Sequence, residues 1–416
     1  MQVTGSVVSR APFHGWTVVG AAFAVLFFAY GLQFSYGVFV PRMAAELGWS
    51  RAQTALPYSI YVFIYSALSA VTGPATDRFG PCRVISAGAV LLGVGWGLSA
   101  LVHRQWQLNV TLGLIAAFGM SVAWVPCNAT VARWFTRRRG TAVAIASTGA
   151  SFGNFLMPPL VATLLQYTGW RTTLGALAII SAMLMLWAAR FMVRDPETLG
   201  LWPDGARSAP SNSELTGGFT VREIRWTEPF LFIIAIYFCT WLVVFIPFVH
   251  APAYAQDLGL SRALGASILS AIGLSGMIGR LSSGIVSDSI GRTPALLAIC
   301  ALQALSFVLF GRADTAATLL IAALVFGLSY GGCVALLPSL CGDLFGRAHV
   351  GSVVGVIFAI AGSPAAVGPY LAGWLYDLSG SYRSTFLIAA GLNALAFVLT
   401  GVLAWRVNRA PRRSRA

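Results

Sequence analysis

The sequence predicts an all-α membrane protein with twelve transmembrane helices in two pseudo-symmetric six-helix bundles. Three observations predict it. First, the 416-residue chain is 57% hydrophobic and only 10% charged, with a mean hydropathy of +0.77. Soluble domains carry about 25% charged residues, so lipid is the expected solvent. Second, the apolar residues gather into long runs, and at about 20 residues per crossing the length accommodates a dozen. Third, the first six runs and the last six share a pattern at a constant shift.

The runs fall near 15–40, 53–73, 83–102, 107–132, 140–165, 172–193, 229–250, 263–286, 294–311, 316–341, 351–375 and 384–406. Most carry no ionised residue. Helices are expected because their backbone polar groups pair within the segment. Pro57, Pro126, Pro158 and Pro364 fall inside runs and predict kinks. The chain is polar up to Pro12, and the run that follows is longer than the apolar core of a signal peptide, so it reads as the first span. Residues 1–193 form the N-terminal bundle. Residues 194–228, rich in Pro, Gly, Ser and charge, read as a cytoplasmic linker. Residues 229–416 form the C-terminal bundle and a basic tail.

The chain has 27 basic residues, all arginine, against 13 acidic ones, for a net charge of +14. Such a balance can mean nucleic-acid binding. Here the arginines lie in short loops between apolar runs, which excludes that reading. With both termini inside, nineteen arginines lie on the inner face, seven outside and one within a span. This asymmetry predicts cytoplasmic termini. Six cysteines form no CxxC pair, so neither a disulfide framework nor a metal site is expected. No nucleotide loop or pair of intramembrane carboxylates supports an enzyme. No cofactor and no obligate protein partner is implied; the partners are a small solute and membrane lipid.

The repeat is explicit. Gly73-Pro-Ala-Thr-Asp77-Arg78-Phe-Gly80 returns as Gly284-Ile-Val-Ser-Asp288-Ser-Ile-Gly291-Arg292, shifted by 211 positions. Gly140 and Gly351, Pro158 and Pro369, and Gly169 and Gly380 keep that shift. Two such halves related by an axis along the membrane normal build one class of secondary transporter. Residues Gly73 to Arg83 resemble the signature loop of the major facilitator superfamily, G-x-x-x-D-R-x-G-x-x-R. The resemblance covers nearly the whole chain. It implies that Asp77, Arg78, Asp288 and Arg292 take part in conformational gating.

A narrower resemblance rests on two short stretches. Trp134-Phe-Thr-Arg137-Arg138-Arg139-Gly140, followed by Ala144, Gly149 and Gly153, resembles the fifth-span motif of monocarboxylate transporters and their bacterial relatives. His14-Gly15-Trp16 resembles a bacterial form of that family's first motif. The oxalate/formate exchangers share much of the pattern. In span five, Ala142, Ala146 and Ala150, with Gly149 and Gly153, recur every four residues and permit close helix approach. Gly351, Gly355 and Ala359 repeat this in span eleven.

Arg280 is the one charge inside a span. It lies eight residues before Asp288, about 12 Å along the helix from the inner end. An arginine at mid-membrane costs about 2.5 kcal/mol or more on insertion scales. No acidic residue lies in the middle of any span. Arg280 is therefore expected to face a watery cavity and meet a mobile anion, and guanidinium suits carboxylate. In the monocarboxylate transporters an arginine at the matching place binds the substrate carboxylate. The oxalate exchangers add a lysine in span eleven, which this chain lacks. A small monocarboxylate such as lactate or pyruvate is the better expectation.

Further substrate-contacting candidates are Tyr30, Gln33 and Tyr36 in span one, Tyr61 in span two, Asn154 in span five and Tyr330 in span ten. Gln33 resembles a glutamine of the oxalate exchangers' first span, and Tyr330 falls where relatives place a substrate-contacting aromatic. Each tyrosine is also a natural packing residue. The animal family's proton relay needs a lysine in span one and an aspartate four residues before the span-eight arginine. This chain has no lysine, and the second position is Gly276. His250, near the outer end of span seven, is the remaining proton-coupling candidate. The expected function is secondary transport of a small monocarboxylate by alternating access, in a bacterial inner (cytoplasmic) membrane. Proton symport, anion exchange and facilitated diffusion all fit. The alternatives are an oxalate/formate-type exchanger and an efflux transporter of larger amphipathic compounds.

Overall fold

Backbone polar groups have no water to bond within lipid, so each long apolar run must satisfy them internally. A computed structural model of the chain shows this outcome. It describes residues 13–135, 138–205, 219–346 and 350–409; the side chains of residues 70, 73, 74, 77, 139, 140, 350–352 and 407–409 lie outside the description. Twelve long helices are described: α1 Gly15–Leu47, α2 Arg51–Phe79, α3 Pro81–Ser99, α4 Gln105–Trp134, α5 Arg139–Tyr167, α6 Trp170–Ala189, α7 Glu228–Asp257, α8 Arg262–Ile290, α9 Arg292–Gly311, α10 Ala316–Phe345, α11 Val350–Gly362 continuing to Ser379, and α12 Arg383–Arg409. Ten are long and apolar enough to cross a membrane; α2 and α5, at 29 residues each, have the length as well.

The helices run past the expected span edges because polar end residues cap them. Ser50 caps α2 in a box with Gln53, and Ser261 accepts from Leu264 N–H at the start of α8. Arg51 and Arg262 lie 211 positions apart, as do Phe79 and Ile290. Gly80 (φ 82°) and Gly291 (φ 94°) make the matching turns that follow. A left-handed residue there demands glycine. The repeat seen in sequence is thus a repeat of helix ends.

Two helices break in equivalent places. α1 is interrupted at Ser35, whose hydroxyl donates to Gly31 C=O at 2.7 Å. α7 is interrupted between Trp241 and Ile246. α4 begins with a wide turn over Asn109–Ala116, where Leu112 and Ala116 are buried. The segment after α6 forms short turns at Pro196–Leu199 and Pro203–Gly205, held by Arg133–Asp195 (3.3 Å) and Trp134 Nε1–Val193 O (2.9 Å).

Within the first bundle α1 packs on α5 and α3 on α6; within the second α8 packs on α10 and α9 on α12. The bundles meet through α1 with α7, α2 with α11 and α5 with α8. Small residues set these approaches. A Cβ at Gly149 or Gly153 would collide with the Phe23 or Phe27 carbonyl of α1. Ala142, Ala146 and Ala150 are fully buried. The counterpart row in α11 differs, since Gly355 has nothing within 4 Å of its Cβ position. The His14-Gly15-Trp16 stretch and the Trp134 stretch meet in space. His14 lies 5.4 Å from Trp134, and Trp16 lies 5.0 Å from Phe135, ring to ring.

The face where α1 ends and α2 begins, here termed distal, is opposite the face bearing the termini. There the halves touch closely. Gly37 of α1 lies against the Phe248 carbonyl of α7, and Gly373 of α11 lies against the backbone of Arg51 and Ala52. The Asp377 carboxylate accepts both Arg51 N–H (3.1 Å) and Ala52 N–H (3.0 Å), capping α2 from the other bundle. Arg51 also pairs with Asp257 at 2.9 Å and lies over the Tyr376 ring. The structure is therefore closed at its distal face.

Gly37→Ala is expected to lengthen spin-label distances across the distal seam, because the added methyl meets a carbonyl only when the halves close. Gly153→Ala strains a contact within one bundle, so it should instead lower the melting temperature, by about 1–3 kcal/mol in stability.

Candidate functional site

A narrow cavity of about 50 Å³ lies between the bundles. Tyr30, Tyr65, Ser66 and Trp124 line it from the first half. Trp241, Val244, Phe245, Arg280, Tyr330, Val334 and Phe358 line it from the second. The walls are largely aromatic with few polar groups.

Arg280 reaches this cavity from the middle of α8. Among the described residues no carboxylate pairs with it. Its guanidinium donates one hydrogen bond, from Nη1 to the Ser147 carbonyl of α5 at 3.1 Å. It lies over two π faces, Trp124 at 5.5 Å and Tyr330 at 5.9 Å. Its Nε is buried without a partner. Cation–π contacts steady a guanidinium but leave its in-plane N–H groups free for an anion. Ser147 is itself positioned, since its hydroxyl bonds Asn128 Oδ1 at 2.9 Å. α8 lies along α5 through this stretch: Ser270 Oγ donates to Phe155 O at 2.7 Å, and Gly273 sits against the Asn154–Phe155 peptide.

The sequence-predicted residues separate into groups. Arg280, Tyr330 and Tyr30 come together on the cavity wall. Gln33 and Tyr61 lie one layer away, fully buried. Gln33 Nε2 donates to Tyr58 OH at 3.2 Å, and its Oε1 has no partner. Tyr61 packs on Tyr58 and Tyr65 at 5.9 and 5.4 Å between ring centres. Tyr36 sits toward the distal face, stacked on Tyr58 at 5.2 Å with its hydroxyl on the Thr54 carbonyl at 2.5 Å. Asn154 is buried at the α5–α8 crossing, with Oδ1 unpartnered.

His250 is fully buried inside the second bundle and does not line the cavity. Nε2 lies 2.8 Å from the Pro369 carbonyl, which can only accept, so Nε2 carries the proton. Nδ1 then accepts from Tyr382 OH at 2.9 Å. The neutral ring has both nitrogens satisfied, tying α7 to α11 and to the start of α12.

Of the gating candidates, Arg292 pairs with Asp288 at 2.5 Å and Asp343 at 3.4 Å, joining the ends of α8, α9 and α10 within one bundle. Arg78 lies over the Phe79 ring at 5.2 Å. The Asp77 side chain lies outside the described residues. Gly276, four residues before Arg280, stands at the close α8–α10 crossing: a Cβ at Gly331 would collide with its carbonyl.

Sequence reasoning missed Trp124, the Ser147 carbonyl and the distal contacts of Arg51. A backbone carbonyl leaves no trace in residue identity. Trp124 reads as one more apolar residue of its run. Arg51, Asp257 and Asp377 read as separate loop charges.

Two six-helix bundles around a central cavity, with one face shut, define a polytopic membrane transporter. Comparison with known proteins is specific. The model of the Major Facilitator Superfamily matches residues 22–369 and 283–416. Human monocarboxylate transporter 11 is 31% identical over 91% of this chain and 80% of its own length. Rat monocarboxylate transporter 13 is 29% identical over 93% and 87%. The crystal structure of the nucleoside transporter NupG superposes with a TM-score of 0.73 at 13% identity, over 94% of this chain and 99% of that one, and shows the shared fold. The chain belongs to the Major Facilitator Superfamily, in its monocarboxylate-transporter-like branch. It is a multi-pass integral membrane transporter and not an enzyme.

His250→Phe removes a donor and an acceptor from buried partners, each worth about 1–3 kcal/mol when orphaned. The expected result is a lower melting temperature in detergent, with the pH profile of uptake unmoved.

Proposed function

We propose that this transporter carries a small organic monocarboxylate, bound in the central cavity by Arg280. The observation that supports this is a mid-membrane guanidinium, open on one edge to the cavity, with no carboxylate partner among the described residues. In a low-dielectric interior such a charge is costly unless an anion or water compensates it. A carboxylate can bridge two N–H groups of the fork. A single fixed cation neutralises a monoanion and leaves a dicarboxylate with one charge in excess. Tyr330 and Trp124 hold the guanidinium plane, while Tyr30 and Tyr65 close the pocket around a short carbon chain. The named relatives are monocarboxylate transporters, which agrees with this chemistry.

Transport then follows from the two bundles. With the distal contacts of Gly37, Arg51 and Asp377 closed, the cavity communicates with the face bearing the termini. Opening that seam while the opposite ends of α5 and α8 come together exposes the same site distally. Arginine asymmetry favours cytoplasmic termini. The coupling mode is carried by the substrate itself, as exchange or co-transport with a proton, with no relay through His250.

The test is uptake of labelled small monocarboxylates into proteoliposomes. Arg280→Ala removes charge-assisted hydrogen bonds worth about 1.5–3 kcal/mol, so saturable uptake should fall about 10- to 100-fold. Arg280→Lys should retain part of it. Wild-type uptake in a folded Arg280→Ala protein would refute the assignment.

A further inference from the structure

A second groove lies on the distal face, at the seam where α1 and α5 of one bundle meet α7 and α8 of the other, with about 940 Å³ of empty space. Arg42 of α1 and Arg262 of α8 both line it, with Gln166, Gln256 and Ser261 as further polar groups. The two guanidinium groups belong to different bundles. Among the described residues neither pairs with a carboxylate. The acidic residues nearest in sequence are engaged elsewhere: Glu46 with Arg171 and Trp170, and Asp257 with Arg51. One hydrogen bond, from Arg42 to the Leu165 carbonyl, holds Arg42 in place.

Closing the distal seam thus sets two like charges on the walls of one groove, with no carboxylate partner for either among the described residues. An anion seated between them would turn repulsion into a bridge, with Gln166, Gln256 and Ser261 supplying neutral hydrogen bonds. Because its two cationic walls belong to separate bundles, the groove exists in this form only while the seam is shut. A ligand that binds one state preferentially shifts the equilibrium toward it. We infer that the groove is a second anion site, separate from the central cavity, which takes a small soluble oxyanion from the distal side and clamps that face closed. A lipid headgroup phosphate has the same charge chemistry, so the test must separate the two sources.

The probe is inorganic sulfate, titrated calorimetrically into the full chain in phosphatidylcholine nanodiscs. Sulfate should bind wild type and Arg280→Ala with dissociation constants within twofold of each other. Arg42→Gln with Arg262→Gln should weaken binding at least tenfold, and Arg42→Lys with Arg262→Lys should keep most of it. Spin labels at Ala45→Cys and Asp314→Cys, with Cys82→Ser, should move to shorter distances on sulfate addition. The distance change should vanish in the double glutamine variant. Sulfate binding that survives the double glutamine change, or that disappears in Arg280→Ala, would overturn the assignment. So would sulfate binding without the distance change. Absence of sulfate binding in phosphatidylcholine, with tight retention of phosphatidylglycerol that depends on Arg42 and Arg262, would give the groove to lipid and overturn the soluble-anion clamp.

Discussion

A positive charge at the middle of a membrane-spanning helix must be compensated, and this constraint organises the centre of the molecule. Arg280 receives two aromatic faces and one backbone carbonyl, which is partial compensation. An acidic neighbour would have completed it and closed the site. Instead Gly276 stands one turn away, at the α8–α10 crossing where its carbonyl lies against Gly331. The cation is held in orientation and left short of negative charge, which is the condition a carboxylate cargo satisfies on our reading.

Moving two bundles past one another needs surfaces that touch without interlocking. The chain provides these through glycines that let backbone meet backbone, at Gly37 with Phe248, Gly373 with Arg51 and Gly273 with Asn154. Such contacts bury little side chain and can part without a long hydrophobic penalty. Polar anchoring across the seam is sparse. At the helix ends Asp377 caps α2 from α11 and Arg51 joins Asp257. Along α5 and α8, Ser270 bonds the Phe155 carbonyl and Arg280 the Ser147 carbonyl. Large aromatic side chains pack within each bundle, such as Trp96 against Tyr36 and Tyr61, or Phe326 among Phe307, Phe310 and Tyr330, and a few cross the seam, such as Phe34 on Phe248.

His250 illustrates how burial recasts a residue. In sequence it is a histidine near the outer end of a span, a natural titrating group. In the fold its two nitrogens are satisfied by Pro369 and Tyr382, and it serves as a strut behind the Tyr376–Arg51 contact. Tyr36 and Gln33 moved similarly, from candidate contacts of the cargo to the packed layer between cavity and distal seam. The break at Ser35 separates the part of α1 that carries Tyr30 and Gln33 from the part that carries Tyr36.

The sequence by itself determined the twelve helices, their division into two related halves, and Arg280 as the chemically exposed point. These are one-dimensional consequences: hydrophobic run length sets a span, a constant shift marks duplication, and an isolated charge in an apolar run stands out. Tertiary structure alone decided which side chains surround that charge. Trp124, the Ser147 carbonyl and Tyr330 come from three different helices, and their meeting depends on how α4, α5 and α10 cross α8. It also decided that Arg51, Asp257 and Asp377, scattered over more than three hundred residues, form one lock. Spacing along a chain fixes which face of a helix a residue occupies, but only packing between helices fixes what that face meets.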